Sequence, residues 1–491
     1  MTEATESAKV YIETYGCQMN QLDSSLVADR LRRAGYQMVT DPALASVVLI
    51  NTCSVRDLAE HKVWSHLGRL GVQKKGDRPG LVIGVLGCMA EREGQNIAVR
   101  MPYVDLVCGP DRLDRLPVLI RDAMTSRKPQ VAIAGHGARL HAADDRDTHA
   151  DAEPAADIDL ARSVAPQAAT FQAYVRVTRG CDKFCTFCVV PFTRGQEVHR
   201  APRQIVDEVK RLADSGILEV TLLGQTVNHY VHVDGDRRTT FADLLWQVHE
   251  AVPHLPRLRF VTSYPRDFDQ PTLEVMAAAA RICRYLHLPA QSGADAVLMR
   301  MNRGYTAAAY LELLQRARAA LPDVCLAGDM IAGFPGETEA DHQASLGLLD
   351  AAQYKNCFVF QYSPRGGTVA AKRFADDVPD DVKHRRNLEL LARQTEINLR
   401  HNNARVGATL EVLVESRSKI SGHSRGDIVR IGRDRSPCAD DVRLIGRTRG
   451  DEIVAFDGPA AWVGSLRTVE AVGATALTIL AKIEKGGPHG S

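Results

Sequence analysis

The amino-acid sequence predicts an α/β protein built from three parts. These are an N-terminal parallel α/β domain, a central partial (β/α)6 barrel of the TIM type, and a small C-terminal all-β barrel. Residues 9 to 109 repeat a strand, a cysteine-bearing turn and a helix three times, at the length of a βαβ unit. Six strand-helix alternations then follow, and short alternating runs broken by glycine end the chain.

Composition limits the classes of protein to which the chain can belong. Its 491 residues leave room for about three domains, and its formal net charge of +1 means that any nucleic-acid surface must be a local patch. The N-terminus is polar, no long apolar run follows, and the 11 cysteines are an odd number. We therefore expect a cytoplasmic protein with reduced thiols and no membrane partner, in which clustered cysteines bind metal or do chemistry.

The N-terminal domain, predicted over residues 8–125, places one cysteine after each repeated strand. Cys17, Cys53 and Cys88 recur at intervals of 36 and 35 residues. The carboxyl ends of parallel strands lie side by side, so the three thiols should converge, and helix N-termini beyond them would favour thiolates. Any one of them alone is better explained as a buried packing residue, and it is their three matching positions that favour ligation. Cys108 falls outside the repeat and is expected in the core.

Residues 135–167 separate the first two domains. The segment is rich in Ala, Asp, His and Pro and has no hydrophobic periodicity. It is predicted to be an interdomain linker, and its acidic residues are expected to be solvated.

The central domain is predicted over residues 168–404. Its six strand candidates are residues 173–178, 219–224, 257–262, 285–290, 324–334 and 356–363. Chemistry in such barrels belongs at the carboxyl ends of the strands. Cys283, Cys325 and Cys357 lie in or near apolar runs and are expected to be packing residues.

Three further cysteines, Cys181, Cys185 and Cys188, fall within eight positions just beyond the first of these strands. Three thiols are too few to close a structural zinc site, whereas an iron-sulfur cluster held by three cysteines keeps one iron open for a small molecule. The alternative is a zinc knuckle with His199 as its fourth ligand.

The C-terminal domain, predicted over residues 405–483, has many basic residues in its first half. They are Arg417, Lys419, Arg425, Arg430, Arg433, Arg435, Arg443, Arg447 and Arg449. A basic face is one interpretation, and ordinary solvated charge is the other. Phe456 and Trp462 offer little surface for base stacking, so a nucleic acid on this face would be contacted through its phosphates and backbone shape.

The Cys-x3-Cys-x2-Cys spacing resembles the signature of radical S-adenosylmethionine enzymes. From about Ala8 to Lys482 the chain resembles the methylthiotransferases of that class, whose last module is called TRAM. The segments YGCQMN (15–20), NTCSVRDLAEHKVWSHLG (51–68) and RGCDKFCTFCVVPFTRGQE (179–197) resemble the MiaB-type tRNA enzymes. Gly366 and Val369 stand where that family usually has prolines, and His199 where it usually has serine, which puts the loop shape in doubt.

This resemblance implies two 4Fe-4S clusters and S-adenosyl-L-methionine as cofactors. One cluster would be held by Cys181, Cys185 and Cys188, and the rings of Phe184 and Phe187 would shield it from water. An auxiliary cluster would be held by Cys17, Cys53 and Cys88. The implied contacts of the cofactor are Gly224 and Gln225 after the second strand, Gln291 in a strand-end loop, Arg303 in the following helix, and Asp329 and Gly333 around the fifth strand. No catalytic side chain is expected, because the cluster and the cofactor radical carry the chemistry.

The implied activity is radical insertion of sulfur and transfer of methyl to carbon 2 of an isopentenylated adenosine at tRNA position 37. The implied partners are the tRNA anticodon stem-loop, an electron donor such as flavodoxin or ferredoxin, and iron-sulfur assembly carriers, with the chain a monomer. Two alternatives remain at this point. One is methylthiolation of another tRNA adenosine or of a ribosomal protein, and the other is a non-catalytic zinc protein that binds RNA.

Overall fold

The computed structural model describes residues 8–54, 57–126, 128–136, 171–418 and 441–483. The predicted linker lies outside the described residues apart from its first two, Gly135 and His136. Lys419, Arg425, Arg430, Arg433 and Arg435, five of the nine basic residues predicted for the last domain, also lie outside them.

A parallel sheet forms the N-terminal part of the chain. Its strands are β1 Lys9–Thr14, β2 Gln37–Met38, β3 Val47–Thr52, β4 Val82–Gly87, β5 Leu106–Cys108 and β6 Gln130–Ala132. They are arranged in the order β2-β1-β3-β4-β5-β6. All residues of β3 and β4 are buried, as expected for parallel strands covered on both faces. The three predicted repeat units are confirmed, with β1, β3 and β4 as neighbouring strands.

Five helices accompany this sheet. They are α1 Gln18–Arg33, α2 Asp57–Lys75, α3 Cys88–Glu93, α4 Gln95–Arg100 and α5 Leu116–Ser126. Leu22, Leu26 and Leu31 of α1 are buried in the same apolar cluster as Val10 of β1. Cys108 is buried at the end of β5, and burial raises the pKa of its thiol, as suits a packing residue.

The central part contains the six predicted strands and two short hairpins. Its strands are β7 Gln172–Arg176, β8 Thr178–Arg179, β9 Val198–His199, β10 Glu219–Leu223, β11 Val231–Asp234, β12 Arg237–Thr240, β13 Arg257–Val261, β14 Tyr285–His287, β15 Cys325–Ala332 and β16 Asn356–Gln361. Parallel sheets β13-β10-β7 and β14-β15-β16 meet through a bridge between Leu258 and Ile282. The predicted partial barrel is therefore confirmed, with an irregular joint between its third and fourth strands.

Helices cover the outside of this barrel. They are α6 Val190–Arg194, α7 Pro202–Asp214, α8 Phe241–Ala251, α9 Gln270–Ala278, α10 Asp295–Arg300, α11 Ala307–Ala320, α12 Glu339–Ala352, α13 Val369–Arg373 and α14 Asp380–Asn403. Thr240 and Thr338 begin α8 and α12 with capping boxes, which satisfy the free N–H groups of each first turn. Cys283, Cys325 and Cys357 are buried, as expected of packing residues.

The C-terminal part is a closed five-stranded barrel, which confirms the predicted all-β module. Its strands are β17 Thr409–Arg417, β18 Asp441–Arg447, β19 Ile453–Pro459, β20 Leu466–Ala474 and β21 Ile479–Ile483. Arg257, at the first position of β13, is fully buried and donates to the Glu411 carboxylate at 2.9 Å and to the carbonyl of Arg447 at 2.9 Å. The small barrel thus packs on the amino ends of the central strands.

Among the described helices, none combines the length and apolar character needed to cross a membrane. The longest, α14, has 24 residues and is interrupted by charged side chains along its length. Several of those charges pair with the barrel helix beside it, as Arg385 does with Glu339 at 2.7 Å.

Candidate functional site

The compact cysteine triplet lies in the loop between β8 and α6, at the carboxyl end of the first barrel strand. The loop begins at Gly180, whose φ is +76°, and a Cβ there would lie 1.9 Å from the carbonyl oxygen of Gln196. Only glycine fits this position. The loop then turns back on itself, because the N–H of Cys188 donates to the carbonyl of Cys185 at 3.0 Å. Cys181, Cys185 and Cys188 are each partly exposed as residues, although burial raises the pKa of the Cys181 and Cys188 thiols.

A buried arginine contacts this triplet. Arg303 Nη1 donates to Cys185 Sγ at 3.3 Å, while Nη2 donates to the carbonyl of Pro289 at 2.7 Å and Nε to the Tyr305 hydroxyl at 2.9 Å. Its guanidinium also lies over the Tyr264 ring, 4.7 Å from the centroid. Arg303 is therefore held rigidly with its charge beside a thiol. It lies in the loop after α10, so the predicted helical position was wrong.

The predicted aromatic walls differ from each other. Phe187 packs edge-on against Phe334, with 6.5 Å between ring centroids, in a small apolar cluster beside the loop. Phe184 has a φ of +47° and is 41% exposed. Phe187 therefore covers the side of the loop that faces the protein interior, whereas Phe184 faces solvent.

The scattered triplet meets at the carboxyl edge of the N-terminal sheet. Cys17 caps α1, Cys53 follows β3, and Cys88 is the first residue of α3 directly after β4. A Cβ on Gly16 would lie 2.4 Å from the Cys53 Cβ, so the turn before Cys17 presses against the second cysteine. The predicted convergence is what the structure shows, although α2 begins four residues beyond Cys53.

The thiols of the scattered triplet differ in acidity. A hydrogen bond from Cys53 and the charge of Arg194 outweigh burial and lower the pKa of Cys17 to about 5. Burial raises the pKa of Cys88, although Arg194 opposes that rise. In the compact triplet burial raises the pKa of Cys181 to about 12. The hydrogen bond from Cys53 thus favours the thiolate form of Cys17.

Sequence reasoning missed three polar residues at the scattered triplet. Arg194, the last residue of α6, donates from Nε to Cys88 Sγ at 3.3 Å, and from Nη2 to Asn20 Oδ1 at 2.9 Å and Asp23 Oδ2 at 2.8 Å. All four side chains are buried. The available signal in the sequence was the single arginine at the end of the mainly apolar segment VVPFTR (189–194). That signal does not show which residues the arginine contacts.

The number and softness of the ligands favour a cluster over a single zinc ion. Within the described ranges, neither cysteine triplet belongs to a group of three ligand-type side chains whose ligand atoms all lie within 4.8 Å of one another. A structural zinc site takes four protein ligands. Three soft thiolates with one position left open are the donor set of a 4Fe-4S cluster.

His199, the fourth ligand of the zinc alternative, belongs to a different group. It pairs opposite Thr178 in the β8-β9 ladder, and its ring lies edge-on to Tyr230, with 5.4 Å between centroids. Its neighbour Glu197 accepts from Thr226 Oγ1 at 2.6 Å and pairs with His229 Nδ1 at 2.7 Å. His199 therefore stands beside a satisfied ion pair rather than completing the cysteine site.

The remaining predicted cofactor contacts line the strand ends around the compact triplet. A Cβ on Gly224 would lie 2.2 Å from Thr178 Oγ1, and within the described part of the chain the buried Gln225 Oε1 has no hydrogen-bond partner. Gln291 has a φ of +76° and bridges to Met330 of β15. These features fit a cradle in which a bound molecule supplies the missing polar contact.

Asp329 and Gly333 lie on and just beyond β15. The Asp329 carboxylate pairs with His287 Nε2 at 3.1 Å, and the pair raises the pKa of His287 against the opposing effect of burial. Gly333 has a φ of +74°, and a Cβ there would lie 2.3 Å from Lys383 Cγ. Asp329 is thus engaged by a neighbouring strand, whereas Gly333 keeps the backbone of the strand end open.

The two departures from the family's prolines leave the local structure intact. Val369 is the first residue of α13, a position where proline is favoured but not required, and the Thr368 hydroxyl accepts from the N–H of Ala371 at 3.3 Å. A Cβ on Gly366 would meet nothing within 4 Å. The N–H of Ala370 donates to the Thr186 carbonyl at 2.8 Å, so α13 still reaches the cysteine loop.

Comparison with known proteins gives the class of this fold and site. Residues 175–349 match the Radical SAM superfamily, and residues 9–109 match the Uncharacterized protein family UPF0004. The fold is similar to that of the radical S-adenosylmethionine methyltransferase TsrM from Kitasatospora setae, with a TM-score of 0.53 and 15% identity over 74% of each chain. The matched superfamily, the partial barrel and the three-cysteine loop define a radical S-adenosylmethionine protein.

Curated relatives identify the family within that class. A tRNA-2-methylthio-N(6)-dimethylallyladenosine synthase of Rhodopirellula baltica is 43% identical over 97% of this chain and 95% of its own length. Proteins of the same name from Acidovorax sp. and Moorella thermoacetica are each 40% identical, over 98% and 95% of this chain and 98% and 96% of their own lengths. The chain belongs to the tRNA-2-methylthio-N(6)-dimethylallyladenosine synthase family. Its cofactors are accordingly 4Fe-4S clusters and S-adenosylmethionine.

Proposed function

We propose that this chain is a radical S-adenosylmethionine methylthiotransferase that adds a methylthio group to carbon 2 of isopentenylated adenosine at tRNA position 37. The pair of cysteine triplets carries the proposal beyond the class, because they lie separately at the carboxyl edges of two sheets. The similarity to a relative also extends over 97% of this chain. A radical enzyme that only cleaved its cofactor would need one triplet. The second is the natural site for the sulfur chemistry.

The reaction needs cofactor chemistry because the C–H bond at carbon 2 of adenine has no useful acidity. S-adenosylmethionine bound at a reduced cluster supplies a carbon radical able to break such a bond, and it also supplies methyl groups. The chain positions these reagents. We assign Cys181, Cys185 and Cys188 to the cluster that binds the cofactor, with Gly224, Gln225, Gln291, Arg303, Asp329 and Gly333 around it. Cys17, Cys53 and Cys88 hold the auxiliary cluster.

Arg303 contributes charge to the first site. Its guanidinium donates to Cys185 and is clamped by a backbone carbonyl and Tyr305, so it favours the ligating thiolate without moving. Phe187 and Phe334 exclude water from one side of the same loop. Exclusion of water on that side protects a radical from quenching and strengthens the electrostatic contacts there.

The substrate is the anticodon stem-loop of tRNA. Its target base is single-stranded and stacked, so it can be splayed toward the barrel at lower cost than a base in a duplex. The C-terminal barrel would contact backbone phosphates. Within its described part Arg443 and Arg447 pair with Asp457 and Glu415, and the exposed Arg417 is a further basic side chain for phosphate contact.

The proposal also needs an electron source for the cluster. We expect a low-potential carrier such as flavodoxin or ferredoxin, delivery of the clusters by iron-sulfur assembly carriers, and a monomeric enzyme in the cytoplasm. The cysteines of the compact triplet are partly exposed, and the neighbouring Phe184 is 41% exposed. An electron carrier bound at this surface would therefore come close to the cluster.

Nucleoside analysis of tRNA from a deletion strain tests the proposal. The strain should lose the methylthio group and accumulate the isopentenylated precursor, and the wild-type gene should restore the product. A Cys181→Ala gene is the control and should not restore it. An unchanged nucleoside profile together with a lost mass increment on a ribosomal protein would favour the branch of the family that modifies proteins.

A further inference from the structure

Helix α6 connects the two cysteine triplets, although it has only five residues. At its start the N–H of Val190 donates to Cys188 Sγ at 3.5 Å. At its end Arg194 Nε donates to Cys88 Sγ at 3.3 Å. One short segment of the barrel thus contacts a thiol of each triplet.

The guanidinium of Arg194 is held in one orientation. Nη2 donates to Asn20 Oδ1 and Asp23 Oδ2, and Asn20 in turn donates to the carbonyls of Tyr15 at 2.8 Å and Thr52 at 2.9 Å. Tyr15 lies in the turn that carries Cys17, and Thr52, the last residue of β3, directly precedes Cys53. Arg194 is therefore connected to the surroundings of all three scattered cysteines, and it is only 3% exposed.

Two of its five N–H donors are unassigned. Arg194 Nη1 is buried and has no hydrogen-bond partner within the described part of the chain. Buried donors without acceptors are rare in folded proteins, so an acceptor is expected at this place. Cys88 Sγ already accepts from Nε of the same guanidinium, and thiolate and sulfide are acceptors that hydrogen bonds stabilise most in the reduced state.

We infer that Arg194 is a positioning residue of the auxiliary site, which donates to Cys88 and to a sulfur atom of the auxiliary cluster and so raises its reduction potential. The inference rests on the proposed function, because it requires a cluster at Cys17, Cys53 and Cys88. The guanidinium places positive charge and fixed donors at sulfur, which favours the more negative, reduced cluster.

The test uses full-length protein in which Cys181, Cys185 and Cys188 are alanine, so that any cluster signal comes from the auxiliary site. Arg194→Gln and Arg194→Lys are compared with this parent by iron content, by the EPR spectrum of the reduced cluster and by its midpoint potential. Arg176→Lys is the matched control, because Arg176 is equally buried and pairs with the same Asp23.

The inference predicts a more negative midpoint potential and an altered EPR spectrum in Arg194→Gln, with a smaller shift in Arg194→Lys and none in Arg176→Lys. Loss of the cluster from Arg194→Gln alone would also support it. Potentials and spectra equal to the parent's in both Arg194 variants would overturn it, as would equal loss of iron in Arg176→Lys. A parent without auxiliary iron would instead contradict the proposed function itself.

Discussion

The two cysteine triplets reach similar chemistry by opposite routes. The compact triplet lies in a single loop, whose shape is fixed by Gly180, by a backbone hydrogen bond and by Arg303. Its three cysteines are each partly exposed residues. The scattered triplet is assembled from three strand ends, and Cys53 and Cys88 are buried around Arg194. The exposure of the compact triplet suits the binding of a small cofactor and the entry of electrons. The burial of the scattered triplet suits a sulfur reagent that must be protected from side reactions.

Removing one thiol from each triplet should separate their roles, and this is the largest effect expected. Cys185→Ala should reduce cleavage of S-adenosylmethionine to background, because the cofactor loses its cluster. Cys53→Ala should spare cleavage and abolish methylthio product. Chromatography of the cleavage products and of digested tRNA measures both. Equal loss of cleavage in the two variants would argue against two separate roles.

The compact triplet should depend strongly on its first glycine. Gly180→Ala forces a Cβ to 1.9 Å from the Gln196 carbonyl at a φ of +76°, so the loop must change shape. The unfavourable φ alone costs about 1–3 kcal/mol, and we expect iron per chain to fall by about half because only the compact site is disturbed.

Gly366→Ala is the matched control for this change. Its Cβ would meet nothing within 4 Å. Iron content and thermal stability should match the wild type. If Gly180→Ala also retained full iron and cofactor cleavage, the loop would not be the rigid cradle described above.

The difference between the triplets shows how far sequence reasoning reaches. The compact site was predictable because its ligand spacing is local, and the scattered one because a repeated strand-turn-cysteine pattern implies neighbouring strand ends. Arg194 was not predictable, because its partners Asn20, Asp23 and Cys88 are distant in sequence and only tertiary packing brings them together. Arg303 was noticed but placed in the wrong element, since a helix signal does not show where the chain leaves the helix.

The whole-chain architecture was predictable for similar reasons. Short, mainly apolar runs marked the six barrel strands, and alternating runs marked the C-terminal barrel. The docking of that barrel was not predictable, because it depends on Arg257, a charged residue that ordinary patterns place at the surface. In the structure this side chain is fully buried.

Arg257→Ala should disturb the molecule at the end opposite to both triplets. Loss of its contacts with the half-exposed Glu411 and with the Arg447 carbonyl should lower the free energy of unfolding by about 1–3 kcal/mol and weaken tRNA binding. Iron content should be unchanged. Arg443→Ala, which breaks an exposed pair with Asp457, should cost only about 0–1 kcal/mol. Denaturation curves measure both, and similar costs would contradict this docking.

The smallest expected effect concerns the ion pair between Glu197 and His229, which lies beside the compact triplet. A hydrogen bond to Glu197 raises the pKa of His229 above its usual value, against the effect of burial. Such a pair stabilises the fold fully below the unfolded pKa of about 6.5, and this contribution is lost as pH rises through the raised folded pKa. His229→Gln should therefore destabilise by about 0.5 kcal/mol at low pH and less at high pH, since the side chain is half exposed. Equal melting-temperature shifts at about pH 6 and about pH 9 would show that the pair does not act this way.

Metal analysis after anaerobic reconstitution tests the central claim most directly. The wild-type chain should contain about eight irons with matching sulfide, and each triplet-to-alanine variant should contain about four. Stoichiometric zinc, or about four irons in the wild type that disappear entirely when one triplet is replaced, would contradict the assignment of two cluster sites with separate roles.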